Sequence, residues 1–252
     1  MHPRLIGPIK SFGFLLALSF IIGIILSIRR GRSRGLDQDT VMDASFTVLI
    51  SSLIGVRLFF ILTHLDTFDP WWEMFMIWRG GLTLYGGILA AIVAVFWFCR
   101  RRGIEFLALA DVLAPQVVLG IGLTRIGCFL NGCCFGFPTD AAWGVQFPAT
   151  CQAGSVYAAT AIHPTQLYSS AGGFAVWGLL LLWERFDSRQ GGTFGRFLIF
   201  YGIARTVADL FRWYETGAVH ALGLTTSQLI SAAMLLVGLA VLVRSRRVDH
   251  GI

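Results

Sequence analysis

The chain has 252 residues, 56% of them hydrophobic and 13% charged, with a mean hydropathy of +0.71. Such a balance excludes a soluble globular domain and a disordered chain, and it points to a polytopic membrane protein. The 20 basic residues exceed the 14 acidic ones by six, and all but one of them are arginine. Because they gather at the ends of apolar runs, the excess reports topology, and no nucleic-acid partner is expected.

A membrane span needs about 20 apolar residues. The chain offers seven candidates, roughly 9–28, 40–62, 80–98, 106–130, 164–183, 194–211 and 222–243. The first run follows a short basic start but ends in Arg29 and Arg30 with no A-x-A cleavage pattern, so it is expected to be retained as a span. Arginines cluster after the first, third, fifth and seventh runs, at Arg29, Arg30, Arg32 and Arg34, at Arg100 to Arg102, at Arg185 and Arg189, and at Arg244, Arg246 and Arg247. The opposite loops hold little besides Arg79. These clusters mark the cytoplasmic side, which puts the N-terminus outside and the C-terminus inside.

The predicted fold is an all-α integral membrane protein of seven transmembrane helices, forming a single domain over residues 1–252. Residues 64–79, acidic and rich in tryptophan, are too short and too charged to span and are expected to lie along the outer interface. Residues 131–162, between the fourth and fifth spans, form the longest loop and carry no Lys or Arg, which predicts a small folded head on the outer side.

Ionisable side chains inside a span are costly and mark function by default. Arg57 and Arg125 fall near the outer ends of the second and fourth spans, and Arg205 falls near the middle of the sixth, with Asp209 one turn further out and Arg212 beyond it. Arg57 is equally open to snorkelling to the interface. Arg205 and Asp209, four apart on one face, are open to mutual neutralisation. Asp43 and Asp111, near cytoplasmic ends, read as structural. Arg125 is followed at once by a helix break at Asn131 and Gly132, and small residues there are expected to leave backbone N–H groups free to grip an anion. Gly80, Gly81, Gly86 and Gly87 bracket Tyr85, and close helix packing is the commoner reason for such glycines.

Four of the five cysteines, Cys128, Cys133, Cys134 and Cys151, lie close together in sequence, and no C-x-x-C occurs. A disulfide from Cys151 to Cys133 or Cys134 is the leading expectation, fitting an oxidising compartment. A metal site built from Cys128, Cys133, Cys134 and His163 lacks the usual ligand spacing, so no metal is expected.

Taken together, Phe12-Gly13, GGLTLYGG at 80–87, TRIGCFLNGCCFG at 124–136, HPTQLY at 163–168, YGIARTVADLFR at 201–212 and TTSQLIS at 225–231 resemble the bacterial prolipoprotein diacylglyceryl transferase family over nearly the whole chain. The resemblance implies a multi-pass enzyme of the bacterial inner membrane. It would transfer the diacylglyceryl group of phosphatidylglycerol to the lipobox cysteine thiol of a prolipoprotein, releasing glycerol phosphate without a cofactor. It also implies that Arg125, Asn131 and Gly136 bind phosphatidylglycerol, that Arg205 is a second essential arginine, and that Tyr201 and Asp209 flank it. Arg57 joins the substrate-binding set from its depth, and Tyr85, helped by Arg205, becomes the candidate for activating the thiol. Tyr85 stands where the family usually has His, Phe12 where it has Tyr, Cys128 where it has Asn, Cys133 where it has Glu, and Asp209 where it has Glu. Two other readings remain open: a lipid- or lipoprotein-binding paralogue without turnover, and a membrane thiol-disulfide oxidoreductase using Cys133, Cys134 and Cys151.

Overall fold

Hydrocarbon offers a chain no hydrogen-bond partners, so an apolar segment placed there must bond its own backbone, and the helix does so within one segment. The computed structural model describes residues 4–6, 9–65, 71–76, 81, 83–214 and 223–249. A short antiparallel hairpin, β1 (Arg4–Ile6) and β2 (Ile9–Lys10), is followed by α1 (Ser11–Ser33), α2 (Gln38–Thr63), α3 (Leu84–Arg102), α4 (Phe106–Asn131), α5 (Gln152–Val156), α6 (Thr165–Glu184), α7 (Gly192–Asp209) and α8 (Thr226–Asp249). Seven long helices thus stand where seven were expected, with shifted ends: α1 continues to Ser33, and α7 begins and ends two residues earlier than its apolar run suggested. Five of them, α1 to α4 and α8, are long and apolar enough to cross a membrane. Large apolar side chains such as Val93, Leu62 and Leu236 are more than 60% exposed, as suits surfaces solvated by lipid.

Two compact units make up the chain, one formed by Met1–Ser27 with Ala110–Ile252 and the other by Ile28–Leu109. In the second unit α3 packs on α2. Gly86 sits against the Phe59 side chain and the Gly55 carbonyl with no room for a Cβ, so close packing accounts for this glycine. Asp43 pairs with Arg102 at 2.6 Å. Arg57 is buried, and its guanidinium donates to three main-chain carbonyls: from Nε to Met74 at 2.7 Å, from Nη2 to Glu73 at 2.6 Å and from Nη1 to Gly81 at 3.1 Å. It therefore ties the 3-10 turn at Trp71–Phe75 to α2. The remainder of the acidic, Trp-rich stretch, 66–70 and 77–79, lies outside the described residues.

In the first unit Ala114, Val118, Val176, Leu180, Phe197 and Leu198 form a core between α4, α6 and α7. The start of α7 is held by Asp111 of α4, fully buried, whose carboxylate accepts from the backbone N–H of Gly191 at 2.6 Å and of Phe194 at 2.7 Å. The first N–H groups of a helix have no partner within it, and an anion there also meets the positive end of the helix dipole. This contact sets α7, and with it Arg205, against α4. Ahead of α7, Asp187 pairs with Arg189 at 2.9 Å and with Arg196, so that Arg189 first, and then Arg196, hold its carboxyl well below the usual carboxylate range.

Asp111→Ala is expected to cost about 1–3 kcal/mol, because it strips two buried N–H groups of their acceptor, read as a lower unfolding midpoint in detergent. An unchanged midpoint would show that the cap is dispensable. Asp187 has a depressed folded pKa, so its stabilisation is complete above its unfolded value of about 4 and is lost as pH falls below it. Asp187→Asn is therefore expected to melt lower than the parent at pH 7, with the gap closing under acid. A gap that does not narrow at all as pH falls from 4 to 2 would rule this out.

Candidate functional site

Arg125 on α4 and Arg205 on α7 line the same cleft, together with Ile121, Ser169, Gly173, Tyr201, Ala204 and Ala208. Helical spacing explains why. Ile121 and Arg125 are one turn apart on α4, while Tyr201, Ala204, Arg205 and Ala208 form one stripe of α7. The cleft is narrow, with a free volume of about 10 Å³, scarcely that of one water molecule. Arg205 lies one turn from the C-terminal end of α7, closer to that end than its apolar run suggested, because the helix stops at Asp209.

The Arg205 guanidinium is held on one side and open on the other. Nε donates to Ser227 Oγ at 2.8 Å, Nη2 donates to the Tyr214 hydroxyl at 3.2 Å, and Asp209 lies 3.3 Å from Nη2. Nη1 is buried and has no hydrogen-bond partner. Asp209 is itself fully engaged, accepting from the Tyr214 hydroxyl and from Thr225 Oγ1, the latter at 2.7 Å. Burial first, and then the bond to Asp209, raise the Tyr214 phenol above its usual value, so it remains a donor. Thr225 is fixed at the start of α8 by a reciprocal cap: its hydroxyl accepts from the Gln228 N–H at 3.1 Å while Gln228 Oε1 accepts from the Thr225 N–H at 3.0 Å. A catalytic role was expected for Asp209, and its contacts are those of a group that positions Arg205.

Tyr214, Thr225 and Ser227 are functional candidates that the sequence reading missed. A signal was present in T-x-x-Q at 225–228, which has the form of a helix N-terminal cap.

Beyond Arg125, α4 ends at Asn131 and the chain turns through Gly132, in the left-handed region with φ 69°. The N–H groups of Gly132, Cys133 and Gly136 donate to the carbonyls of Phe129, Cys128 and His163, respectively. The expected backbone anion grip is therefore taken up in part by the protein itself, because the helix end closes its own hydrogen bonds and the loop pairs with the start of α6. Gly136 packs so tightly against the Phe211 carbonyl and His163 that a side chain there would displace one of them. The HPTQLY stretch supplies this support. Thr165 Oγ1 donates to the Cys134 carbonyl at 2.9 Å and Gln166 Nε2 to the Cys133 carbonyl at 2.8 Å, both from almost fully buried side chains. His163 Nδ1 lies 3.0 Å from the Tyr168 hydroxyl, which also accepts from Trp143 Nε1 at 2.8 Å. Beyond the cysteines the 131–162 loop has its own core of Phe135, Phe147, Ala153 and Ile162, with Trp213 stacked on Phe135.

No cysteine is in a disulfide. Cys151, the expected partner, instead donates its thiol to the Pro148 carbonyl at 3.2 Å. The sulfurs of Cys128, Cys133 and Cys134 lie within 4.8 Å of one another. Sulfur hydrogen bonds from Cys128 and Cys133 hold the Cys134 thiol well below its usual range, and the Arg212 and Arg125 guanidiniums add to the effect. Of the other expected residues, Asn131 is half-buried beside Cys133, and Tyr201 stacks on Phe197 in the cleft wall. Arg57 and Tyr85 belong to the other compact unit, where Arg57 is saturated by carbonyls and Tyr85, in the first turn of α3, is 40% exposed.

Comparison with known proteins gives a consistent result. The family model described as prolipoprotein diacylglyceryl transferase matches residues 4–244. The phosphatidylglycerol–prolipoprotein diacylglyceryl transferase of Geobacter sulfurreducens is 35% identical over 246 residues, covering 94% of this chain and 92% of the relative. That of Clostridium tetani is 31% identical over 235 residues, covering 92% of each chain. A second enzyme of this name, from Clostridium perfringens, is 33% identical over 234 residues, covering 92% of this chain and 89% of the relative.

Removing Asp209 would leave the Arg205 charge buried beside neutral groups. Breaking such a pair from either side costs about 3–5 kcal/mol, so Asp209→Ala and Arg205→Met are each expected to lower the unfolding midpoint, and the double variant by clearly less than the sum of the two. Fully additive losses would contradict the pairing.

Proposed function

The chain belongs to the prolipoprotein diacylglyceryl transferase family, and from that premise we propose that it moves the diacylglyceryl group of phosphatidylglycerol onto the thiol of a lipobox cysteine in a prolipoprotein. The thiolate attacks the glyceryl carbon that carries the phosphate, a carbon–sulfur bond forms, the carbon–oxygen bond breaks, and glycerol phosphate leaves with the electron pair. The thiol proton passes to a base or to solvent. The product is a thioether, and no cofactor takes part.

The observation that supports this reading most directly is the buried, unpartnered Nη1 of Arg205 in a cleft that Arg125 also lines. An orphan donor on a charged group is costly to bury unless an acceptor fills it during function. A phosphate oxygen supplies that acceptor. As the carbon–oxygen bond breaks, charge builds on the leaving phosphate, and two guanidiniums already in place stabilise it more than they stabilise the bound lipid. Asp209, Tyr214 and Ser227 act through Arg205 by fixing which of its nitrogens faces the cleft. Tyr201 and Gly173 form the wall, and the α4, α6 and α7 faces part to admit the head group. Asn131 and Gly136 hold the loop after Arg125. Tyr85 remains the candidate for orienting or deprotonating the acceptor thiol. Arg57, with its donors occupied, is assigned to structure.

We assign the protein to the bacterial inner membrane with seven spans, and the arginine clusters support an orientation with the N-terminus and the 131–162 head on the periplasmic side and the C-terminus in the cytoplasm. Arg125 and Arg205 then sit near the outer ends of α4 and α7, at the depth of outer-leaflet phosphates.

Purified protein in detergent with phosphatidylglycerol and a lipobox peptide is expected to give a thioether-linked product. Arg125→Ala and Arg205→Lys are each expected to lower kcat/KM by about 100-fold or more, the usual loss when a donor to developing charge is removed or misplaced. Phosphatidylglycerol binding without any turnover would favour a binding paralogue. Full activity in Arg205→Lys would remove the phosphate role.

A further inference from the structure

The three sulfurs of Cys128, Cys133 and Cys134 form a cluster that the transfer reaction does not use. They come together because the α4 helix ends with Cys128 less than one turn from its last residue, and the Gly132 turn then folds the next two cysteines back over it. The Cys133 thiol donates to the Cys128 carbonyl at 3.7 Å. Cys134 takes a left-handed backbone with φ 59°, rare for a residue with a Cβ and found mostly where surrounding structure over-determines it. Here the over-determination is visible: Thr165 and Gln166, both 1% exposed, clamp the carbonyls of Cys134 and Cys133. The sulfurs are thus aimed at one another by a rigid frame, which is the condition for a preorganised ligand set.

We propose that Cys128, Cys133 and Cys134 form a three-thiolate site for a soft monovalent cation, Cu(I).

Thiolate sulfur selects soft metals such as Cu(I) and zinc. Structural zinc is almost always four-coordinate, and among the described residues no fourth His, Cys, Asp or Glu joins the group. Three sulfurs alone suit a d10 monovalent ion. At a metal–sulfur distance of about 2.3 Å, three sulfurs around a central ion stand about 4.0 Å apart. The present separations of up to 4.8 Å need only a small closure. Binding releases the remaining thiol protons to solvent and requires no oxidant. Cys151 lies outside the group, and its thiol is turned to the Pro148 carbonyl.

The test uses the purified full-length protein in detergent under anaerobic conditions, titrated with Cu(I) against a chromophoric Cu(I) chelator. One equivalent of copper is expected to transfer from the chelator to the protein. Cys128→Ser and Cys134→Ser are each expected to weaken binding by at least the 10- to 100-fold that loss of an outer-shell partner costs, while Cys151→Ser binds as the parent does. Because a variant can fail to fold, the unmodified protein carries a second readout: Cu(I) is expected to slow alkylation of Cys133 and Cys134 by iodoacetamide, resolved by mass spectrometry, and to leave Cys151 reacting at its original rate. Failure to compete with the chelator, copper uptake that survives the Cys128 and Cys134 changes, tighter binding of Zn(II) than of Cu(I), or alkylation unaffected by copper would each overturn the assignment.

Discussion

The arrangement of the first unit turns on one buried ion pair, Arg205 with Asp209, both on α7 and one turn apart. A charged guanidinium beneath an apolar surface is tolerable only if its charge and most of its donors are met. Asp209 meets the charge, Ser227 and Tyr214 meet two of the nitrogens, and Thr225 together with Tyr214 completes the carboxylate. Those partners come from the segment after α7 and from the first turn of α8, so the pair also decides how the two helices meet. One nitrogen is left over, and it is the one that lacks a protein acceptor. The same side chain thus carries a structural pairing on one side and an unfilled donor on the other.

A second constraint lies around the cysteine loop. It has little regular structure of its own, yet the carbonyls of Cys133 and Cys134 are clamped from α6, and the N–H groups of Gly132, Cys133 and Gly136 are spent on α4 and on His163. Arg125 precedes this loop by six residues, so the chain that follows it is tied to both α4 and α6.

Hydrophobic run lengths located all seven long helices, since a bilayer allows few alternatives. Arg125 and Arg205 were also legible, because an arginine within an apolar run has few inexpensive explanations. The reading failed where tertiary contacts choose among equal local options. Arg57 looked like Arg125 in sequence, both near the outer end of a span, but the 3-10 turn and Gly81 supply three carbonyls to it. Spacing suggested a disulfide to Cys151, whereas the left-handed residue at Cys134 turns its sulfur toward Cys128, a backbone choice that sequence does not announce for a cysteine. Of the N–H groups expected to be free after Asn131, those of Gly132, Cys133 and Gly136 are taken by carbonyls from 129, 128 and 163, one of them distant in sequence. Tyr214 escaped notice because it lies past the end of an apolar run and resembles an interfacial anchor.

The cleft between Arg125 and Arg205 holds scarcely one water molecule when empty. Groups that ease the departure of a phosphate do so for any nucleophile, and water is far more abundant than a secreted thiol. A wide, wet cavity would let the enzyme cleave the surrounding bilayer's own lipid with nothing gained. On the proposed reading, so narrow a cleft leaves room for little water beside the two arginines before a lipid enters, and discrimination against hydrolysis would begin there.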